Sequence, residues 1–406
     1  MKKETSATIF FRCISCENII TNPKKRDSYS THYQPAFKIK NKVDLQTMSK
    51  WKKIISPNDF SVWRYRKLLS NIDPKNIISL GEGWTPLIHA KRLGKQLGLK
   101  SLYIKDERQG PTASFKDRQA SLAISFLRNQ GINEYALAST GNAGIAYSAY
   151  AARAEIQMYV FLPSSVPDEK VREMALYGSK VFKVEGTYDE TKKVASKFAN
   201  RRGITFDQTI KELAGSDSMK TIAFELFEQL EGQTPDWYIQ AVSGGIGPIG
   251  VTRGFEEMKA LGIINKIPSL GIIQSAGCAP MVQAFRAKQS TAKPIKNPET
   301  TIPTLSAGYP GRAYEILYNL ITHNGGTMSD ARDQEAFDTV SLLAQTEGIS
   351  VEPGTAVAFA GLIKLTQQGI IKPNELVVIN CSGHTYPVER KILENYSIKQ
   401  VHSDFD

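Results

Sequence analysis

Four short segments of this sequence hold residues whose types and spacing suit chemistry. The first is G-P-T-A-S-F-K-D-R over 110–118, where Lys116 stands at the mouth of a predicted helix behind a proline and small residues. A lysine in that place feels the positive end of the helix dipole and is desolvated, and both effects lower its pKa. Such an amine is a nucleophile toward an aldehyde. Taken alone, the segment reads more simply as a surface lysine near a helix start. The second is S-T-G-N-A-G over 139–144. The backbone N–H groups of Ser139, Thr140, Gly141 and Asn142 suit a carboxylate, and the Asn142 amide suits an aromatic hydroxyl. The plain alternative is a tight strand–helix turn that needs glycine for its dihedrals.

The third segment, S-G-G-I-G-P-I-G over 243–250, follows an apolar run and leads into a predicted helix. Ser243, Gly244, Gly245, Ile246 and Gly247 allow the backbone to approach an oxyanion closely, which makes a phosphate cradle. It has neither the G-K-[ST] of a P-loop nor a clean G-x-G-x-x-G, so a small cofactor with one phosphate fits better than a nucleotide. The fourth is N-C-S-G-H over 380–384, where Ser382 is a short neutral hydroxyl able to donate to an aromatic nitrogen. Together the four supply an amine for an aldehyde, an amide for a ring oxygen, a cradle for a monophosphate and a hydroxyl for a ring nitrogen. Those are the contacts that pyridoxal 5′-phosphate requires.

The elements that must position these residues alternate. Strand candidates are S-L-Y-I-K, Y-A-L-A-S, I-Q-M-Y-V-F-L, W-Y-I-Q-A-V-S, L-G-I-I-Q-S and L-V-V-I-N-C. Helix-length segments between them begin near Asp117, Asn142, Asp168, Asp189, Asp217, Gly247, Asp333 and Thr355, and V-W-R-Y-R-K-L-L over 62–69 reads as a short amphipathic helix. This pattern predicts an α/β fold with right-handed crossovers and mostly parallel sheets. Ligands in such sheets sit at the carboxyl ends of strands, where all four segments fall. The stretch 288–303 reads as the one long loop.

Composition narrows the class further. A chain of 406 residues suggests two domains. No apolar run reaches the ~18 residues that span a bilayer, and the apolar stretch after the basic N-terminus is broken at Arg12, so a cytoplasmic protein is expected. The net charge is +11, but residues 1–53 hold twelve Lys and Arg against four Asp and Glu, and the rest is nearly balanced. No groove-reading motif or aromatic platform accompanies that surplus, so nucleic-acid binding is not expected. Four cysteines do not make a disulfide framework. Cys13 and Cys16 form a C-x-x-C with only His32 as a further soft ligand nearby, which is short of a structural zinc set. An unmetallated ribbon remnant is the expectation there, with a metal on Cys13 and Cys16 as the weaker one.

From about Trp63 to Val388 the sequence resembles the threonine synthase family, in the tryptophan-synthase-β-like group of fold type II pyridoxal-phosphate enzymes. The motifs are L-G-E-G-W-T-P-L (80–87), K-D-E (105–107), P-T-A-S-F-K-D-R, S-T-G-N-A-G, G-C-A-P (277–280) and E-P-G-T-A-V-A-F-A-G-L (352–362). The resemblance implies that Lys116 carries the cofactor as a Schiff base and acts as catalytic base and acid. It also implies that Asn142 contacts the ring oxygen, Ser243 to Gly247 hold the phosphate, and Ser382 faces the pyridine nitrogen. Ser139, Thr140, Gly141 and Asn142 are then expected to receive the substrate carboxylate. A neutral serine at the ring nitrogen makes a weaker electron sink than an aspartate, favouring β- and γ-eliminations or replacements over transamination.

The implied architecture is two open α/β domains behind a short appendage. Residues 1–53 form the appendage, 54–115 with 206–395 the large cofactor-binding domain, 116–205 the small domain and 396–406 a tail. A homodimer is usual in the family. The resemblance departs at 211–221, K-E-L-A-G-S-D-S-M-K-T, where the family pattern N-P-x-R-x-E-G-x-K-T places an arginine that grips substrate phosphate. Lys220 and Thr221 match, but Gly215 stands at the arginine position. Lys220, with Ser216 and Ser218, is then the expected substrate-phosphate contact. Threonine synthase activity leads. β-Replacement on O-phosphoserine, as in cysteate synthesis, a threonine or serine dehydratase, and a catalytically silent cofactor-binding homologue are the alternatives.

Overall fold

The computed structural model describes residues 8–13, 19–20, 33–38, 48–207, 213–385 and 399–401. The thiols of Cys13 and Cys16, and His32, lie outside the described side chains, and the expected ribbon remnant lies outside them too. Among the described residues no group of three or more His, Cys, Asp or Glu side chains is placed to hold a metal. No helix among them is long and apolar enough to cross a membrane. Cys278 and Cys381 are buried free thiols.

The larger sheet has six strands in the order Gly326–Ala331, Ser269–Ser275, Trp237–Ala241, Leu376–Cys381, Ser101–Asp106 and Leu87–His89. The first five are parallel and Leu87–His89 pairs antiparallel at the edge. Its inner strands read as apolar runs because both faces are covered. Val377 and Ile379 pack into one core with Ile104 and Ile239, while Val378 points the other way into a second core with Tyr238, Leu270 and Ile272. In register, Ile379 sits opposite Ile104 on one side and Ile239 on the other.

A second sheet, all parallel, runs Lys399–Val401, Lys180–Val184, Gln157–Pro163, Glu134–Ala138 and Thr205–Phe206. It too has a core on each face, one built on Leu137, Val160 and Val181, the other on Ala136, Phe161 and Phe182. A small antiparallel sheet joins Ile19–Ile20, Thr8–Cys13 and Tyr33–Lys38.

The six strands expected from sequence are all present to within a residue or two. Five more in the two larger sheets escape a search for apolar runs. Lys180–Val184 is interrupted by two lysines, Gly326–Ala331 carries Gly, Thr, Ser and Asp, and the other three have two or three residues each. The segment at Val62–Leu68 is a 3-10 helix with a kink at Tyr65 rather than an α-helix. Helices Lys91–Leu97, Pro280–Arg286 and Gly311–Asn324 were not expected, and the helix placed near Asp217 is present already at Leu213.

Topology brings the chemistry together. The strands Trp237–Ala241, Leu376–Cys381 and Ser101–Asp106 are neighbours in that order. The loops leaving their carboxyl ends carry Gly244–Gly247, Ser382 and Lys116, although these residues lie far apart in the chain.

Candidate active site

Lys116 is the first residue of the helix Lys116–Asn129. The loop before it is tied to the Ser382 loop by backbone bonds: Phe115 N–H donates to Ser382 O (3.0 Å), His384 N–H to Ala113 O (3.0 Å), and Ser114 bridges Gly383. The tight path puts Ala113 at φ +56°, a left-handed conformation uncommon outside glycine. Asp117 fastens the same loop, accepting from Thr112 N–H at 2.9 Å and Thr112 Oγ1 at 2.6 Å. Its burial raises its pKa to about 7.

The Lys116 ammonium donates to Gln119 Oε1 at 3.0 Å and lies 4.6 Å from the Phe115 ring centre. Desolvation lowers its pKa to about 8, partly opposed by the nearby Asp207 carboxylate. An amine with that pKa is part neutral near physiological pH, as a nucleophile toward an aldehyde and a proton carrier must be.

Lys116 opens on a cavity of about 470 Å³. On its wall lies Ser243–Gly247, leading into the helix Ile246–Ala260. Gly245 caps that helix at φ +79° and no side chain caps it, so its leading N–H groups are left for a ligand. A Cβ at Gly247 would lie 2.5 Å from Gln240 Nε2, and one at Gly245 2.8 Å from Leu317 Cδ1. A Cβ at Gly244 meets nothing within 4 Å. Two glycines are thus enforced by packing behind the loop, while the third faces open space. The arrangement fits a phosphate on the backbone.

Ser382 also lines the cavity, sharing a 2.8 Å hydrogen bond with Thr355 Oγ1. Thr355 Oγ1 in turn accepts from Gly383 N–H at 2.9 Å. The neutral hydroxyl of Ser382 at this wall, backed by the buried hydroxyl of Thr355, suits an unprotonated ring nitrogen. With the lysine and the glycine cradle, it meets the demands of pyridoxal phosphate: an amine for the aldehyde, amides for the phosphate and a neutral donor for the ring.

The 139–142 turn follows the strand Glu134–Ala138 of the second sheet. Ser139 Oγ accepts from Gly141 N–H (3.0 Å) and Gly144 N–H (2.9 Å), so Ser139 holds the turn's shape and those two amides are committed. Gly141, at φ +136°, does not line the cavity, whereas Ser139, Thr140 and Asn142 do. The Asn142 amide donates to Glu352 Oε1 at 2.7 Å and its oxygen accepts from Lys170 at 2.6 Å, with Lys170 and Glu352 paired at 3.2 Å. One amide hydrogen of Asn142 is therefore already engaged by a carboxylate.

The expectation for Lys220 needs correction. Lys220 is fully buried and does not line the cavity. Its ammonium donates to Leu68 O at 2.7 Å and Glu257 at 3.0 Å and pairs with Asp217. Those partners raise its pKa against the opposing effect of burial. Ser218 is likewise buried away from the cavity, donating to Gly215 O at 2.7 Å. Ser216 does line it, where it accepts from Arg253. Gln119, Asp207, Thr355, Glu352 and Arg253 were not singled out from sequence. Glu352 and Thr355 lie within the quoted E-P-G-T motif; Asp207 and Arg253 carry no local signal.

The profile of the family described as "Pyridoxal-phosphate dependent enzyme" matches residues 78–383. The chain is 36% identical over 347 residues to the threonine synthase of Methanocaldococcus jannaschii, covering 85% of this chain and 84% of that one. It is 35% identical to the threonine synthase of Methanosarcina acetivorans, over 80% and 79% of the two chains. Among solved structures it is similar to a diaminopropionate ammonia lyase from Escherichia coli, with TM-score 0.66 and 17% identity over 77% of this chain and 91% of that one. That likeness speaks to the fold, which is fold type II.

Proposed function

We propose, on the premise that this chain belongs to the threonine synthase family of pyridoxal-phosphate-dependent enzymes, that it converts O-phospho-L-homoserine and water to L-threonine and phosphate. The observation that carries this reading is one cavity lined at once by Lys116, the 243–247 loop and Ser382. Bound there, pyridoxal phosphate supplies a sink for the electron pairs left at the substrate's Cα and then Cβ.

The chain's own residues do the rest. Lys116 removes the Cα proton and returns protons later, and its lowered pKa suits both directions. Gln119 holds the amine in place at 3.0 Å. The N–H groups at Gly244–Gly247 hold the cofactor phosphate, and Ser382 with Thr355 presents a neutral hydroxyl to the ring nitrogen. That neutrality favours loss of phosphate from Cγ and addition of water at Cβ over transamination. Thr140 and Asn142 offer the substrate carboxylate its place beside the second sheet. The same reading assigns 116–205 to a smaller domain facing a larger one, in a cytoplasmic homodimer.

Purified holoenzyme given O-phosphohomoserine should release threonine and phosphate one for one. A second reading, β-replacement on O-phosphoserine with sulfite, draws support from Gly215 at the family's arginine position. Cysteate formed with no threonine would establish it instead. Ammonia and an oxo acid from threonine or serine alone would mark a dehydratase, and no turnover of any of these a silent homologue.

A further inference from the structure

The structure assigns Arg253 and Ser216 to an anion subsite in the cavity of Lys116 that grips the phosphate of the substrate, Arg253 doing from another helix what the family's arginine does from position 215. This rests on the reading that the substrate is a phosphorylated amino acid.

The helices Leu213–Gln229 and Ile246–Ala260 pack backbone to backbone. A Cβ at Gly250 would collide with Ser216 O, and one at Gly254 would lie 2.7 Å from Lys220 O. That closeness lets Arg253 reach across, its Nη1 donating to Ser216 Oγ at 2.7 Å. Both residues line the cavity that holds Lys116. Position 215 adjoins the lysine's own partner: a Cβ there would sit 3.3 Å from Gln119 Nε2 and 3.1 Å from Ile246 Cδ1. An arginine at 215 would need Ile246 and Gln119 to give way, whereas the guanidinium of Arg253 reaches the neighbouring residue without doing so.

Among the described residues no carboxylate forms a direct ion pair with Arg253, whose one hydrogen-bond partner is the Ser216 hydroxyl. The acids that face it are Glu256, Asp217 and Glu257. Asp217 and Glu257 are engaged by Lys220, and Asp217 further accepts from the N–H and hydroxyl of Ser70. Burial lowers the Arg253 pKa by more than these three acids restore. Its planar fork has five donors, and a hydrogen bond to one neutral hydroxyl leaves enough to hold two phosphoryl oxygens side by side.

The test compares holoenzymes of the wild type, Arg253→Met, Arg253→Lys and Ser216→Ala. Calorimetry with inorganic phosphate reads binding, steady-state kinetics with O-phosphohomoserine reads KM and kcat, and titration of stripped protein with pyridoxal phosphate reads cofactor affinity. Arg253→Met should lose phosphate binding and raise KM about 10- to 100-fold. The larger part of the loss should fall on KM. Lysine, a point charge without the fork, should recover part of it. Ser216→Ala should raise KM about fivefold.

Wild-type phosphate binding retained in Arg253→Met overturns the assignment, as does a wild type that binds no inorganic phosphate. A loss of cofactor affinity as large as the loss of phosphate binding overturns it too, because the residue would then serve the cofactor. Should Arg253→Met fail to fold, Arg253→Lys and Ser216→Ala decide, and unchanged phosphate binding in both defeats the subsite. Phosphate binding that depends on Arg253 in an enzyme that makes no threonine leaves the subsite standing and removes the threonine synthase reading.

Discussion

Arg118 and Glu107 form a two-point ion pair, Nε to Oε2 at 2.7 Å and Nη2 to Oε1 at 2.8 Å, two residues beyond Lys116. The same guanidinium reaches Glu225 at 2.8 Å, and Glu225 also accepts from Lys105 at 2.7 Å. All of these side chains are buried. A strand of the large sheet, the helix opened by Lys116 and the helix Leu213–Gln229 are thereby locked to one another. Arg118→Met leaves two buried carboxylates sharing one lysine, and losing one partner of a buried pair costs ~3–5 kcal/mol. Urea denaturation should show a loss of that size; a change under about 1 kcal/mol would mean that the network is slack.

Lys116→Ala should remove the visible absorption of the cofactor-loaded protein while leaving its far-UV circular dichroism intact. Borohydride reduction of the wild type, followed by peptide mapping, should place a reduced cofactor adduct on the peptide containing Lys116. An adduct on any other lysine would refute the assignment.

The pH dependence of Lys116 follows from its pKa of about 8, below the ordinary 10.5 for lysine. A lowered value means that the neutral amine takes over above about pH 8. Competitive acylation of cofactor-free protein, read by mass spectrometry, should show Lys116 labelling rise through that pH and then level off. Asp207→Asn should move the midpoint lower still, because Asp207 raises this pKa. Labelling of Lys116 that climbs in parallel with the surface lysines would contradict both statements.

Gly247→Ala sets a methyl group 2.5 Å from the buried Gln240 side chain. Overpacking of this kind costs ~1–3 kcal/mol, and here the strain lands on the phosphate cradle. Affinity for pyridoxal phosphate should fall about tenfold or more. The double variant with Gln240→Ala should recover much of it by making room. Equal cofactor affinity in Gly247→Ala and wild type would show that the loop is not the cradle.

Much of the fold was legible because strands of a twice-covered sheet must be apolar throughout, as in L-V-V-I-N-C. The strand K-V-F-K-V was missed for the opposite reason, since its two lysines, Lys180 exposed and Lys183 paired with Asp168, break the apolar run that a short window looks for. G-T-M-S-D-A was missed because it lies at the edge of the large sheet, where one neighbour suffices. The loops carrying Lys116, the glycines and Ser382 could be read because each follows a strand and keeps its chemistry local.

Lys220 was hard to place because two of its three partners, Leu68 O and Glu257, lie 152 and 37 residues away, and Asp217 three residues before it does not reveal burial by itself. Arg253 was invisible for the same kind of reason. Its significance comes from a crossing of two helices at Gly250 and Gly254, a meeting that only three dimensions disclose.

The strand Leu376–Cys381 slots between Ser101–Asp106 and Trp237–Ala241, although it follows both in the chain by well over a hundred residues. Until it inserts, the serine is not in line with the lysine and the glycines, which the helices Leu213–Gln229 and Ile246–Ala260 hold to one another. The complete coenzyme site therefore requires this strand. A nascent or clipped polypeptide that lacks this centre strand also lacks the hydroxyl of Ser382 for the ring nitrogen, so a finished coenzyme pocket marks a closed large sheet.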